Sequence, residues 1–341
     1  MRNIITILFL LIVGSVSAQD TFTNPLLPSG ADPWSIYMDG HYYYTHTVGD
    51  RITIWKTDNL ANLKTAESST VWTPPQGTNY SKEIWAPEIH HIDGSWYIYF
   101  AADDGKNDNH RMYVLECKDK DPLKGKWKLK GKVADKSDKW AIDGSVFKHN
   151  GQLYMVWSGW EGDTNGQQDI FIARMKNPWT IDGNRVRIST PTYAWEKHGD
   201  LNDPVNPPHV NVNEGPQILM HDNKLILIFS ASGCWTDFYA LGMLTADADR
   251  DLLDASAWKK HAEPVFSQSS ENGVFAPGHN SFFKSPDGKE DWILYHANAE
   301  SGQGCGHFRS PRAQRFTWKK DGTPNFGTPV KTGEVLPIPS L

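Results

Sequence analysis

Five hairpin-forming segments recur along the chain, and this repeat constrains the fold more than any other feature. In each segment a short apolar strand leads into a tight polar turn and then a second, more apolar strand. Asp-Gly, Asn-Gly or Asp-Asn at a turn accepts the positive φ that a two-residue hairpin requires. The turns lie at Asp39-Gly40, Asp93-Gly94, Asn150-Gly151, Asp222-Asn223 and Asp287-Gly288. Repeated hairpins without helices predict an all-β radial assembly, most simply a five-bladed β-propeller.

The second strand of each hairpin is apolar on both faces. Residues 225–229 and residues 97–101 show no alternation of apolar and polar side chains. A sheet stacked between two neighbouring sheets predicts this pattern, because neither face of a central strand meets water. Segments 111–115, 169–173 and 239–243 follow hairpins and are predicted to be the next strands outward.

The first 18 residues are typical of a secretory signal. Arg2 precedes an apolar run over residues 4–13, and small residues from Ser15 to Ala18 stand before Gln19. The run is too short to anchor the chain across a bilayer, and no later stretch approaches the roughly 20 apolar residues of a spanning helix. We therefore expect a signal peptide over 1–18, a single propeller domain over 19–341, and a secreted or periplasmic location.

Composition excludes some classes of partner. The chain has 34 Lys and Arg against 40 Asp and Glu, a net charge of −6, which argues against a nucleic-acid partner. The three cysteines, Cys117, Cys234 and Cys305, lack metal-ligand spacing. They allow at most one disulfide, so the hydrophobic core must hold the fold together.

An ionisable residue precedes each hairpin turn by six to nine positions. Innermost strands of a propeller run beside the central channel, so equivalent positions near their starts converge at one end of the axis. On this argument we expect four acids and a histidine to meet in one pocket. They are Asp32, Glu88, Asp143, Glu214 and His279.

Three of these acids have small or backbone-restricting neighbours that leave space beside the carboxylate. Asp32 lies before Pro33, Asp143 before Gly144, and Glu214 before Gly215. Crowded, buried carboxylates repel one another and lose hydration, which raises at least one pKa. Separated pKa values suit glycoside hydrolysis, where one carboxyl stays protonated and another ionised. The alternative is that these acids only accept backbone N–H bonds in the turns before each blade.

The same segments resemble the ordered signature of glycoside hydrolase family 43, whose members are five-bladed propellers. The similarity extends over nearly the whole chain after residue 18. By this resemblance Asp32 is expected to be the general base, Asp143 the residue that orients the acid and tunes its pKa, and Glu214 the general acid of an inverting hydrolase. The matching motifs are Ala31-Asp32-Pro33, Trp85-Ala86-Pro87-Glu88, Ile142-Asp143-Gly144-Ser145, Asn213-Glu214-Gly215-Pro216 and Pro277-Gly278-His279-Asn280.

The resemblance also implies two supporting roles. His279 matches the family position that binds an axial Ca²⁺ or Na⁺ ion, largely through waters; the alternative is a histidine hydrogen-bonded between blades. Segment 309–315 resembles the arginine segment that supports the acid in family arabinofuranosidases, and within it Arg312 fits best by its spacing from Gln314. An arginine beside carboxylates lowers a neighbouring pKa.

Aromatic side chains near these positions are candidate sugar platforms, because sugars present apolar C–H faces. The candidates are Trp34, Trp85, Trp160 and Phe275, with Trp85 and Trp160 preferred. Most of the 15 tryptophans are nevertheless expected to pack between blades.

Together with the resemblance, these observations predict a secreted, inverting hydrolase that acts on an arabinose-containing polysaccharide or oligosaccharide, with terminal α-L-arabinofuranosyl groups as its substrate. A β-D-xylosidase or an endo-arabinanase of the same family is the nearest alternative. A sugar-binding propeller without catalysis is a third hypothesis, because a fold alone implies no activity. We expect the chain to act as a monomer.

Overall fold

A computed structural model describes residues 20–200 and 209–341. The predicted signal peptide therefore lies outside the described residues, as does part of the polar segment 193–213. A short pair of antiparallel strands, β1 (Thr21–Thr23) and β22 (Val335–Pro337), joins the two ends of the described chain. Within the described ranges, the helical segments are four short 3-10 turns, Leu60–Thr65, Asn107–Asn109, Ala194–Glu196 and Ala255–Ala257.

Twenty further strands form five antiparallel blades of four strands, each in simple up-and-down order, and a short parallel pairing joins two of the blades into one eight-stranded sheet. Blade I contains β2 (Ala31–Met38), β3 (His41–Thr47), β4 (Ile52–Thr57) and β5 (Glu67–Trp72). Blade II contains β6 (Lys82–Ile92), β7 (Ser95–Asp103), β8 (Arg111–Cys117) and β9 (Lys128–Val133). Blade III contains β10 (Ala141–His149), β11 (Gln152–Gly159), β12 (Gln167–Asn177) and β13 (Thr180–Ser189).

Blade IV contains β14 (Asn211–His221), β15 (Lys224–Ala231), β16 (Ala240–Asp247) and β17 (Lys259–Lys260). Blade V contains β18 (Phe275–Lys284), β19 (Asp291–Asn298), β20 (Ser310–Trp318) and β21 (Pro324–Asn325). The first strands of successive blades contact one another around a closed ring, since β2 touches both β6 and β18. The predicted five-bladed β-propeller is confirmed, and the predicted hairpins are its first two strands in every blade.

Five hydrophobic clusters hold the ring together, and each lies between two neighbouring blades. Strand β15 shows how. Leu225, Leu227 and Phe229 pack against blade III, whereas Ile226 and Ile228 pack against blade V. The absence of alternation in this sequence therefore reflects two apolar faces, and burying each such side chain contributes about 1.5–3 kcal/mol.

The ring closes where the segment before β2 lies along β20. Backbone bonds run from Leu26 N–H to the carbonyl of Pro311 (2.8 Å) and from Gly30 N–H to that of Arg309 (2.9 Å). The buried Asn24 side chain donates to the Ala313 carbonyl and accepts from its N–H, both at 2.9 Å. Closure thus uses hydrogen bonds between blade V and the start of the described chain.

Asn24→Ala should lower the free energy of unfolding by about 2–4 kcal/mol, because both backbone groups of Ala313 lose a buried partner. Urea unfolding followed by tryptophan fluorescence measures this loss. Asn62→Ala removes an exposed asparagine from the same half of the chain and serves as the control. Equal midpoints for the two variants would contradict this account of closure.

Candidate active site

The first strand of every blade contains at least one extra residue near its start, which forms a β-bulge against the second strand. The first bulge residue has a positive φ, between 44° and 58°, and Pro or Gly follows it. The five pairs are Asp32-Pro33, Ala86-Pro87, Asp143-Gly144, Gly215-Pro216 and Ala276-Pro277. Bulges re-aim side chains at sheet ends, and here they direct them to the channel mouth.

This register corrects the predicted equivalence of the five ionisable positions. Asp32 and Asp143 do share the first bulge position, but Ala86 occupies that position in blade II. Glu214 stands one residue before its bulge, paired with Ser230. Counting residues back from a hairpin turn cannot detect these offsets, because a bulge changes the count without changing the pattern of the strand.

Glu88 is not a wall of the site, contrary to the prediction. It lies two residues beyond the bulge of blade II and is almost fully buried. One carboxylate oxygen accepts a hydrogen bond from the Gln217 amide, and the other lies 2.9 Å from His90 Nε2. Glu88 therefore connects inner strands below the channel mouth.

His279 reaches the site by a different route, because β18 carries a second irregularity between Gly278 and Ser281. Its φ is 48°, and its Nδ1 lies 3.3 Å from Asp32 Oδ1 and 3.9 Å from Asp143 Oδ2. The histidine thus stands between the two aspartates.

A cavity of about 520 Å³ opens at this end of the channel. Asp32, Asp143, Glu214 and His279 all line it, so the structure gathers these predicted residues at one place. The other lining residues are Thr47, Glu83, Trp85, Asn107, Trp140, Ile142, Asn165, Gln168, Val210, Cys234, Trp235, Cys305 and Arg309.

Asp32 is held as a carboxylate by its neighbours. Arg309 Nη1 lies 3.2 Å from Oδ1, and the Thr47 hydroxyl donates to Oδ2 at 2.6 Å. Burial alone would raise the pKa of Asp32, but the positive charge of Arg309 and the hydrogen bond from Thr47 outweigh it and lower the pKa well below its usual range.

Arg309 is the permanent positive charge at this carboxylate. The backbone N–H of Asp32 donates to His296 Nδ1 at 3.0 Å, so that nitrogen must be an unprotonated acceptor. Burial lowers the pKa of His296 well below its usual range and also lowers the pKa of His279. Both imidazoles are therefore neutral near neutral pH.

Asp143 and Glu214, in contrast to Asp32, have raised pKa values and tend to stay protonated. Burial raises the pKa of Asp143 well above its usual range, and the charges of Glu214 and Asp32 add to this, although Gly215 N–H donates to Oδ2 at 3.0 Å. Burial also raises the pKa of Glu214 to about 7. These two carboxyls interact, so they hold a proton as a pair near neutral pH.

The apolar walls come from tryptophans of three blades. Trp85 lines the cavity as predicted, stacked on His110 with ring centroids 4.0 Å apart. Trp160 does not, because it lies behind Trp140, stacked at 4.9 Å, and Trp140 presents the wall. Trp235 is the third aromatic wall, and neither it nor Trp140 was predicted.

Two other aromatic predictions are wrong in position. Trp34 packs between blades I and II, where its indole donates to the Ile89 carbonyl at 2.7 Å and its ring contacts His90. Phe275 pairs with Asn298 in the sheet at the start of β18 and is not among the residues around the cavity. Adjacency to a bulge in sequence did not place either ring on the cavity side.

Arg312 is also not at the carboxylates. It lies fully buried inside blade V, and its Nη1 donates to Thr332 Oγ1 at 2.7 Å. Arg309 lies just before β20 begins at the cavity end, so it reaches Asp32. The predicted segment was therefore right and the residue wrong, because three residues along the strand carry a side chain away from the channel mouth.

One disulfide, Cys234–Cys305, forms part of the cavity wall. It joins the loop after β15 to the loop after β19, and these loops carry Trp235 and Arg309. The bond therefore ties two functional side chains of neighbouring blades to one another. Cys117 is unpaired and buried in blade II.

The arrangement combines an ionised carboxylate, a carboxyl able to hold a proton near neutrality, and apolar walls with amide groups. A cavity of this size has room for a small polar molecule together with water. Such a site can donate a proton from one side chain and accept one at another, which is acid–base chemistry on a sugar-sized substrate.

Comparison with known proteins agrees with this chemistry. The family model Glycosyl hydrolases family 43 matches residues 22–324. An extracellular exo-α-(1→5)-L-arabinofuranosidase of Streptomyces avermitilis is 41% identical over 332 residues, covering 94% of this chain and 66% of that protein. A protein of the same description from Streptomyces chartreusis is 38% identical over 281 residues, covering 81% of this chain and 82% of that protein.

The crystal structure of an α-L-arabinofuranosidase from Lactobacillus brevis superimposes with a TM-score of 0.84 at 37% identity. The match covers 92% of this chain and 98% of that one. The chain thus spans somewhat less than two thirds of the Streptomyces avermitilis relative but nearly all of this solved structure.

Arg309→Met should raise the pKa of Asp32, because burial of the carboxylate is then no longer offset by a positive charge. Carboxyl ¹³C NMR of aspartate-labelled protein measures the titration, with Asp32→Asn to assign the signal. In the unchanged protein the Asp32 signal should remain that of a carboxylate below pH ~4, where ordinary aspartates protonate. Arg315→Met, which breaks only an exposed pair with Glu290, is the control. An unaltered Asp32 titration in Arg309→Met would refute the assignment.

Proposed function

Because the chain belongs to glycosyl hydrolase family 43, we propose that it is a secreted, inverting enzyme that removes terminal α-L-arabinofuranosyl groups from plant cell-wall polysaccharides or their oligosaccharides. The observation that carries this proposal is the opposite protonation tendency of Asp32 and Glu214 around one cavity. Arg309 favours the ionised form of Asp32, whereas burial raises the pKa of Glu214 to about 7.

In the proposed mechanism Glu214 donates its proton to the glycosidic oxygen as the bond to the anomeric carbon breaks. Asp32 accepts a proton from the water that attacks this carbon from the opposite face. Inversion requires space for that water, and inverting enzymes keep their two carboxyls roughly 6.5–9.5 Å apart. Glu214 therefore ends the reaction ionised and Asp32 ends it protonated. Before a second cycle Asp32 must release its proton to solvent and Glu214 must take one up.

Asp143 supports the acid without contacting the bond that breaks. Its Oδ2 accepts the N–H of Gly215, the residue after Glu214, so it fixes the backbone that carries the acid. Asp143 and Glu214 also interact electrostatically, so ionisation of either one opposes ionisation of the other, because two buried carboxylates repel each other.

The choice of sugar and mode of action rests on the relatives. Two of them are described as extracellular exo-α-(1→5)-L-arabinofuranosidases, which supports (1→5)-linked terminal arabinose and secretion. In the described ranges no helix has the length and apolar character to cross a membrane. All five blades of the ring contribute residues to the cavity, and we propose that a monomer is sufficient for activity.

Release of arabinose from (1→5)-linked arabino-oligosaccharides tests the proposal, with ¹H NMR recording the first product. We expect terminal arabinose, formed first as the β-anomer because attack inverts the α-linkage. Glu214→Gln and Asp32→Asn should each lower kcat by roughly 10²–10⁴-fold, the contribution typical of a general acid or base, with sugar binding largely retained.

Other outcomes would favour the alternatives. Preferred cleavage of a nitrophenyl β-D-xyloside would indicate a xylosidase, and internal cleavage of linear arabinan an endo-arabinanase. Unchanged turnover in both carboxyl variants would overturn the catalytic roles. Binding of arabinose without any hydrolysis would leave a sugar-binding propeller.

We also propose that an axial Ca²⁺ or Na⁺ is held near His279, mainly through waters. His279 Nδ1 faces Asp32, which leaves Nε2 as its free ring nitrogen. The next residue, Asn280, has both side-chain polar atoms buried without a partner among the described residues, and such groups commonly bind ordered water. No set of three His, Cys, Asp or Glu side chains in the described ranges could hold an ion directly. A hydrated ion would keep the His279 side chain neutral and add positive charge near Asp32.

Adding the ion should raise the melting temperature by a few degrees, because a ligand that binds only the folded state stabilises it. Protein dialysed into a chelator and sodium-free choline buffer would be melted with and without CaCl₂ or NaCl. His279→Ala should abolish the shift, while His261→Ala, an exposed histidine, should retain it. Identical melting in all three salts would argue against the ion.

A further inference from the structure

Within the described ranges, Tyr239 is the one residue whose side chain forms a hydrogen bond with the Glu214 carboxyl. Its hydroxyl donates to Glu214 Oε1 at 2.8 Å. The residue stands immediately before β16, at the cavity end of blade IV, and only 1% of its surface is exposed. The phenol therefore touches the proposed acid from inside the protein and leaves the cavity side of the carboxyl open.

Polar contacts connect this hydrogen bond to the backbone of blade V. The N–H of His279 can only donate, and it donates to Ser230 Oγ at 2.7 Å. A hydrogen bond from the Ser230 side chain also lowers the pKa of Tyr239 against the effect of burial. Tyr239 in turn donates to Glu214 Oε1, so Ser230 supports the phenol that holds the proposed acid.

The packing around the phenol ring leaves it no alternative place. A Cβ on Gly278 would lie 2.1 Å from Tyr239 Cε1, so the absence of a side chain there is required for the ring to fit. The ring of His296 lies parallel to it, with centroids 5.8 Å apart. Cys234 and Ala276 complete the apolar cluster around it.

We propose, on the basis of the proposed function, that Tyr239 is a positioning residue that holds Glu214 Oε1 and thereby keeps the transferable proton on Oε2, the oxygen free to face the substrate. An oxygen that already accepts a strong O–H bond is the poorer site for the proton. Burial raises the pKa of Tyr239 well above its usual range, so it remains a donor throughout the range of activity.

The same contact adjusts the acidity of Glu214, because a donor to a carboxylate favours its ionised form. The Tyr239 bond lowers the pKa of Glu214 against the effect of burial. The other charged or titratable groups around this carboxyl and the phenol ring are Asp32, Asp143, Arg309, His279 and His296. All of them remain in a Tyr239→Phe variant, so a change in behaviour reports on the phenol hydroxyl.

The test uses two substrates that differ in their need for an acid. A sugar alkoxide must be protonated as it leaves, whereas 4-nitrophenolate leaves with little help from an acid. Tyr239→Phe should therefore lower kcat on (1→5)-linked arabinobiose roughly tenfold or more, with KM nearly unchanged, and lower kcat on 4-nitrophenyl α-L-arabinofuranoside far less. Ser230→Ala should likewise lower kcat more on arabinobiose than on the nitrophenyl substrate, but by a smaller factor.

Tyr295→Phe is the matched control, since this tyrosine is also fully buried and donates to a side chain, Gln314, at 3.1 Å inside blade V. It should affect both substrates equally. Equal losses on both substrates in Tyr239→Phe and Ser230→Ala, or values like those of Tyr295→Phe, would overturn the proposal.

A second readout does not depend on turnover. Carboxyl ¹³C NMR should show Glu214 titrating about one pH unit higher in Tyr239→Phe than in the unchanged protein, and no shift in Tyr295→Phe. An unshifted Glu214 would overturn the inference. Absence of hydrolysis in the unchanged protein, by contrast, would count against the proposed function while this titration still decides the role of Tyr239.

Discussion

The extra residue at the start of each inner strand is the constraint on which the site depends. Without it, the strand would continue with side chains alternating between the two blade interfaces, and none would turn into the channel. The bulge places its first residue in the left-handed region, which costs non-glycine residues about 1–2 kcal/mol. Asp32 and Asp143 accept this cost, and the hydrophobic clusters between blades offset it. The propeller therefore uses packing energy to hold carboxylates in strained backbone positions.

A single arginine makes the carboxyls of the site differ in protonation. Arg309 contacts Asp32 directly and makes its ionised form the stable one, so this interaction stabilises the fold above the ordinary aspartate pKa and is lost as the pH falls. Glu214 has a raised pKa, so its contribution is greatest at low pH and declines as the pH rises toward 7. The contributions of Asp32 and Glu214 to folding stability are therefore both present in weakly acidic solution.

The sequence allowed the architecture and the three carboxyls to be predicted because their signals are local. Hairpin turns such as Asp93-Gly94 and strands without alternation follow from φ and burial alone. Two positions were predicted wrongly because they depend on strand register. Ala86 occupies the bulge position expected for Glu88, and Arg309, not Arg312, contacts Asp32. Trp140 and Tyr239 escaped because their roles arise only when strands of one blade or neighbouring blades come together. Nothing in the residues adjacent to them distinguishes them from packing aromatics.

The seam that closes the ring has a consequence for how the protein is made. Asn24 and Ala313 are separated by 289 positions, so the earliest part of the propeller to emerge during synthesis must wait for nearly the last before its partner exists. Contacts of such long range form late, since loop closure must precede them. Until then the ring is open, and the blades at its two ends expose apolar faces that can aggregate. This risk ends only when the final blade docks.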